Sequence, residues 1–252
     1  MTQGFDWFRP EALPLFFEAL RQSPKEAILV GGQSLTFWVD FFHLPIPETG
    51  TPALTQDADV FASRHDAAVV AKALKGHIEI PATDDHTPNT AIVTYSTPDG
   101  RRLSVDFMGV LIGLNAEEIR KTAAVLEHEE YGVVRVLHPA LVLKSRIANL
   151  HRLKSKQDSN GVEQAKLAVQ VMKAFIVWYL REGYAERNEE RYLLDRVQWL
   201  KRLALSDDGL FVFRNWGIDV MNAAPYSHIQ SEEFHQKQKP KIEQWIASKR
   251  LK

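Results

Sequence analysis

Three aspartates are the residues best suited to chemistry in this chain: Asp57 and Asp59, separated by Ala58, and Asp106 further along. If Thr55 to Phe61 forms a strand, residues two apart share a face, so Asp57 and Asp59 present paired carboxylates while Ala58 and Val60 face away. Paired like charges call for a cation, and Mg²⁺ takes carboxylate oxygens while filling its other positions with water and phosphate. In Arg102-Leu103-Ser104-Val105-Asp106-Phe107 the alternation puts Leu103, Val105 and Phe107 on one face and Ser104 and Asp106 on the other. A neighbouring strand of this kind would complete a triad able to hold two metal ions, one activating a hydroxyl and one stabilising a leaving pyrophosphate. An Asp-x-Asp alone is equally well explained by the solvated face of an edge strand. What distinguishes this one is the upstream Gly31-Gly32-Gln33-Ser34, where glycine permits close backbone approach to phosphate and a following helix N-terminus favours anions.

The elements that must position these groups are legible as patterns. Pro10 to Gln22 carries Leu13, Phe16, Phe17 and Leu20 at helical spacing, closed by Ser23-Pro24. Glu26 to Val30 reads as a short buried strand entering the glycine turn, and helical character resumes at Ser34 to Val39. Leu44 to Pro52 is a breaker-rich loop before the Thr55 to Phe61 strand, and His65 to Lys75 is a helix. Ile78, Ala91 to Tyr95 and Arg102 to Phe107 read as strands, with Pro98-Asp99-Gly100 turning between the last two, and Val133 to Leu137 as a further strand. Pro139 to Leu153, Val162 to Arg181, Glu189 to Leu205 and Glu232 to Lys249 are helices. These patterns predict an α+β fold, a mixed sheet flanked by helices over residues 1–138 followed by a helical region over 139–252.

Composition narrows the chemistry. The 252 residues are 45% hydrophobic and 25% charged, as expected of a globular chain, with no cysteine. Disulfides, zinc thiolates and cysteine nucleophiles are thereby excluded, leaving oxygen or histidine ligands. The net charge of −1 gives no global nucleic-acid footprint. Positive charge does gather between Arg135 and Lys156, where Lys144, Arg146, Arg152 and Lys154 occur without an acid. With neither a signal-peptide pattern at the start nor an apolar run long enough for a bilayer, the expected location is cytoplasmic, without a membrane partner.

The order Gly31-Gly32-Gln33-Ser34, Asp57-Ala58-Asp59, Asp106 resembles the nucleotidyltransferase superfamily, and more narrowly its AbiEii-like branch of abortive-infection and toxin proteins, over roughly Ala27 to Asp158. Leu141 to Arg146, continuing through Arg152 to Gln157-Asp158, is similar to that branch's lysine-bearing helix, basic run and acid. The resemblance implies a nucleotidyltransferase-like sheet, Asp57, Asp59 and Asp106 as catalytic Mg²⁺ ligands, and Gly31, Gly32, Gln33, Ser34 and Lys144 as contacts to a nucleoside triphosphate. It also implies a toxin-type activity and with it an antitoxin partner; the acceptor is open among tRNA, a protein hydroxyl and a small molecule, with the Arg135 to Lys156 patch favouring an RNA or other anionic partner. A sugar-nucleotide glycosyltransferase using the same acid pair, and an inactive nucleotide-binding module, are the competing functions.

Other residues have plainer explanations. On the helix from Pro139, Lys144, Ala148, His151 and Ser155 form a polar stripe opposite Leu143, Ile147 and Leu150, and Lys144 and Arg146 also fit a merely solvated face. Asp158 precedes Asn160 and Glu163, which fit a capping box, so a capping or loop role competes with a catalytic one and Asp158 stays outside the site; the role of Arg152 is open. The nine histidines show no ligand spacing, Trp178, Trp199, Trp216 and Trp245 read as core or interface anchors, and Asp84-Asp85-His86 as a solvated turn.

Overall fold

The computed structural model describes residues 13–23, 27–45, 57–82, 84–85, 87–129, 132–185 and 188–250. The expected Leu44 to Pro52 loop beyond Pro45, the strand start at Thr55 and Gln56, the helix start at Pro10 and the strand start at Glu26 lie outside these residues. The chain divides into two units, Met1–Phe37 with Ile46–Val142 and Trp38–Pro45 with Leu143–Lys252.

The first unit is α+β. It contains α1 (Leu13–Arg21), β1 (Ile28–Leu29), the start of α2 (Gly31–Phe41), β2 (Asp57–Phe61), α3 (Arg64–Ala73), β3 (His77–Glu79), β4 (Asn89–Ser96) and β5 (Arg102–Met108). After these come α4 (Ala116–Thr122), β6 (Ala124–His128), β7 (Gly132–Val136) and the start of α5 (Pro139–Arg152). The strands form one mixed sheet in the order β3-β4-β5-β2-β1-β7-β6. β2 pairs with β5, and β1 with β7, in parallel, while the remaining neighbours are antiparallel.

Alternation gives the sheet two unlike faces. Ala58, Val60, Ala91, Val93, Leu103, Val105 and Phe107 are all 0% exposed and lie in register on one side. Fully burying each of the larger of these side chains contributes about 1.5–3 kcal/mol. The other face of the same strands carries Asp59, Ser104, Asp106, Ile92 and Thr94. α3 starts with a capping box in which Ser63 Oγ accepts from Asp66 N and the Asp66 carboxylate accepts from Ser63 N at 2.9 Å. Asp66 is nearly fully buried and also accepts from Ser23 Oγ at 2.8 Å, so one carboxylate joins the exit of α1 to the entry of α3.

The second unit is helical: the rest of α2 and α5, then α6 (Ser159–Arg181), α7 (Glu189–Ala204), α8 (Asp207–Trp216) and α9 (Lys239–Arg250). Trp38, Phe41, Phe42, Phe175 and Trp178 form a continuous ring cluster with centroids 5.1–6.2 Å apart, within the range where edge and offset packing is favourable. Among the described residues no helix is long and apolar enough to cross a membrane.

Three elements have no counterpart in the expected pattern. α4 and β6 are short and amphipathic only in context; Asn115 caps α4 by accepting from the N–H groups of Glu117 and Glu118. α8 begins in Asp207-Asp208-Gly209, whose residue types suggest a turn. Here Ser206 caps the helix, and Gly209 passes so close to α7 that a methyl group would fall 2.0 Å from Leu203 O. The expected helix from Glu232 is interrupted: Phe234–Gln238 is a π-helical turn, with Lys239 N donating to Phe234 O. Pro240 next in line has no N–H to donate, and a π turn is one way to absorb that loss.

Candidate metal centre

The geometry starts at the end of β1. Leu29 is paired with Val60, and Val30 N donates to Asp59 O at 2.9 Å, so the residue that leaves the strand lies against Asp59. The chain then turns into α2 at Gly31, whose φ of +61° is a left-handed value that glycine adopts without steric cost. Helix α2 therefore opens at Gly31 itself, three residues before the expected start at Ser34. Gly31 is also a space requirement: a Cβ there would fall 1.7 Å from Asp59 Oδ2 and 2.5 Å from its Cγ. The Asp59 carboxylate thus occupies the position that any other residue at 31 would need.

Ser34 is almost completely buried and its Oγ donates to Gly31 O at 2.9 Å, while Thr36 Oγ1 donates to Gly32 O at 3.2 Å. Both hydroxyls are turned back on the glycines and stiffen the turn. Gln33 is buried as well. The turn's capacity for an anion accordingly rests on the first N–H groups of α2, which have no acceptor within the helix and carry its partial positive charge.

Register brings in the third acid. β2 and β5 run in parallel with Asp59 opposite Asp106 and Asp57 opposite Ser104, so the two half-buried carboxylates of Asp59 and Asp106 leave the same face of adjacent strands, a strand spacing of about 4.8 Å apart at the backbone. Asp106 Oδ2 accepts from Asn89 Nδ2 at 3.1 Å. The backbone of Asp57 opens β2, but its side chain is outside the described residues. Among the described residues no group of three His, Asp or Glu is arranged around a metal position, and the third member of this triad is the side chain just named. Two carboxylates on one face beside a turn with no room for a methyl group fit a hard cation that also carries phosphate.

A cation not anticipated from the sequence lies on α4. The Arg120 guanidinium sits 4.9 Å from the ring centroid of Phe61, which follows Asp59 by two residues in β2 and so belongs to the same face. α4 itself was not legible, so neither was this placement.

The remaining candidates separate. Lys144 is half-buried on α5 and belongs to the helical unit. The expected polar stripe around it is corrected at Ala148, which is 0% exposed, and at Ser155, which lies beyond the helix in a 3₁₀ turn. The basic run is corrected as well. Arg146 is buried with Nη1 donating to Gln164 Oε1 at 2.9 Å, and Arg152 donates through Nε and Nη2 to Asp208 at 2.9 and 2.7 Å. His151 Nδ1 is 2.6 Å from the same carboxylate. Arg135 lies on β7 in the first unit, beside Arg21 in a groove floored by Phe17 and Leu20. Lys154 and Lys156 alone of the run are exposed without an ion pair among the described residues.

Asp158, not Asn160, is the cap of α6: its Oδ1 accepts from Gly161 N at 2.7 Å. Trp178, Trp199 and Trp216 are half-buried, but Trp245 is 46% exposed, covered on one side by Lys201 Nζ at 4.2 Å from its ring centroid. Asp84 and Asp85 are exposed, and Asp85 Oδ2 accepts from Ala82 N at 2.7 Å, as in a solvated turn; His86 lies outside the described residues. No protein-family model matches the chain, and no curated protein matches it at a significant level.

Proposed function

We propose that the chain is a Mg²⁺-dependent nucleotidyltransferase, moving a nucleoside monophosphate from a nucleoside triphosphate to an acceptor hydroxyl and releasing pyrophosphate. The observation that carries this reading is the contact between turn and acid, with the position of a Gly31 Cβ only 1.7 Å from Asp59 Oδ2. A helix N-terminus favours an anion and a carboxylate pair favours a cation; a metal-bound phosphate satisfies both demands at one place.

Asp57, Asp59 and Asp106 are the residues to hold two ions, which when bound polarise the phosphate and neutralise developing charge. The protein's own part is positional. Gly31 and Gly32 let the backbone approach the phosphates and the Ser34 hydroxyl braces the turn; Gln33 and Lys144 are triphosphate contacts by the resemblance alone. The resemblance to the AbiEii-like branch supports the same assignment, together with a toxin-type activity and an antitoxin partner. For the acceptor it leaves tRNA, a protein hydroxyl or a small molecule. The loss of Arg146 and Arg152 from the exposed basic run removes much of the argument for RNA in particular.

Asp59 has a structural use too, as the anion that offsets the positive end of α2. Incubation with each labelled nucleoside triphosphate and Mg²⁺ tests the proposal. Pyrophosphate release that Asp59→Asn abolishes in a folded protein is the expected result. Wild-type rates in that variant would overturn the metal assignment, and nucleoside diphosphate release from a sugar donor would replace it with glycosyl transfer.

A further inference from the structure

We infer that Asn89 is a positioning residue for the metal centre, aimed at Asp106 by a β-bulge; this rests on the metal-dependent reading given above. The register between β4 and β5 is regular from Ser96↔Arg102 through Ile92↔Asp106 to Ala91↔Phe107, where paired numbers keep a constant sum. Continued, that pairing would place Thr90 opposite Met108. Asn89 stands there instead, so Thr90 is the extra residue of a bulge.

The consequence is a change of face. In an unbroken strand Asn89 shares parity with Ala91 and Val93 and would enter the apolar side. One added residue moves it to the side of Ile92 and Asp106, where its Nδ2 lies 3.1 Å from Asp106 Oδ2. The bulge is built rather than loose. Thr90 Oγ1 is shared between the carbonyl oxygens of Phe107 at 3.0 Å and Ala62 at 3.2 Å, and Thr90 Cγ2 would be 2.8 Å from a Cβ on residue 109, which is glycine. Asn89 N in turn donates to Thr87 Oγ1 at 3.2 Å.

An amide is the right donor for this task. It holds one carboxylate oxygen in direction without bringing a positive charge that would compete with a metal ion, and partners of this kind orient metal ligands in many sites. Asn89 therefore directs one oxygen of Asp106, and acts on the metal through that carboxylate.

Binding of Mn²⁺, followed by its paramagnetic signal in the full-length chain, tests this without depending on turnover. Asn89→Ala is expected to weaken Mn²⁺ binding by about tenfold with the folded chain otherwise unchanged in its circular dichroism, a metal-affinity effect that a merely structural role would not give. Asn89→Leu, which keeps the volume and removes the donor, repeats the measurement if Asn89→Ala unfolds at lower temperature. Wild-type affinity in a folded variant overturns the role of Asn89 and leaves the metal centre standing. A wild-type chain that binds no Mn²⁺ overturns the metal centre and this inference with it.

Discussion

Gly31 and Asp59 share a space that cannot hold both a methyl group and a carboxylate. Gly31→Ala meets two penalties: the left-handed φ of +61°, costing a non-glycine residue about 1–2 kcal/mol, and overlap with Asp59 Oδ2. The side chain of Asp59 is the softer partner, so the overlap is relieved by displacing it. We therefore expect Gly31→Ala to lose more than about tenfold in Mn²⁺ affinity, alongside a denaturant-measured stability loss of the size just given. A variant with full affinity would show that the close approach has no bearing on metal. The acid pair and the glycine turn were visible as residues in the sequence. Their contact was not, because Asp59 lies 28 positions beyond Gly31, and only the antiparallel pairing of β1 with β2 closes that gap.

At the scale of elements, helix ends carry much of the order in the second unit. The Asp158 cap and the close passage at Gly161, where a Cβ would fall 1.9 Å from Lys156 O, join the 3₁₀ turn of Lys154–Lys156 to α6. Asp158→Ala is expected to cost about 1 kcal/mol on chemical denaturation and to leave Mn²⁺ affinity unchanged; a large loss of affinity would instead draw Asp158 into the site. α8 is tied back to α5 by Asp208. Burial raises the pKa of that carboxyl, but hydrogen bonds from Arg152 and His151, and then their charges, outweigh burial and hold it below the ordinary carboxylate value. A depressed folded pKa contributes stability that is present above the unfolded value of about 3.9 and lost as pH falls through the folded value. Thermal unfolding of wild type and Asp208→Asn should therefore differ most near neutral pH and converge below about pH 4; a gap independent of pH would refute the ion-pair account.

For the whole molecule, a ligand that binds only the folded chain raises its stability by mass action. Mg²⁺ with the preferred nucleoside triphosphate, at about a hundred times Kd, should add about 2.7 kcal/mol to the folded state, and Asp59→Asn should abolish the rise in Tm. An equal rise in that variant would place the nucleotide away from the acids. The expected α+β organisation with a C-terminal helical region is the architecture observed.

What the sequence determined by itself was whatever depends on neighbours along the chain. Alternation identified β4 and β5 and assigned Asp59 and Asp106 to the polar face of their strands, and helical spacing identified α3, α6 and α7. What tertiary structure decided depends on groups far apart in sequence. The parallel pairing that sets Asp59 opposite Asp106 is one such case, and Asp208 withdrawing Arg152 from the basic run is another. The bulge at Thr90 is the clearest. Unbroken alternation continued back from Ala91 and Val93 would put Asn89 on the apolar side, and only the pairing of β4 with β5, satisfied through the Thr90 hydroxyl, turns it toward the acids.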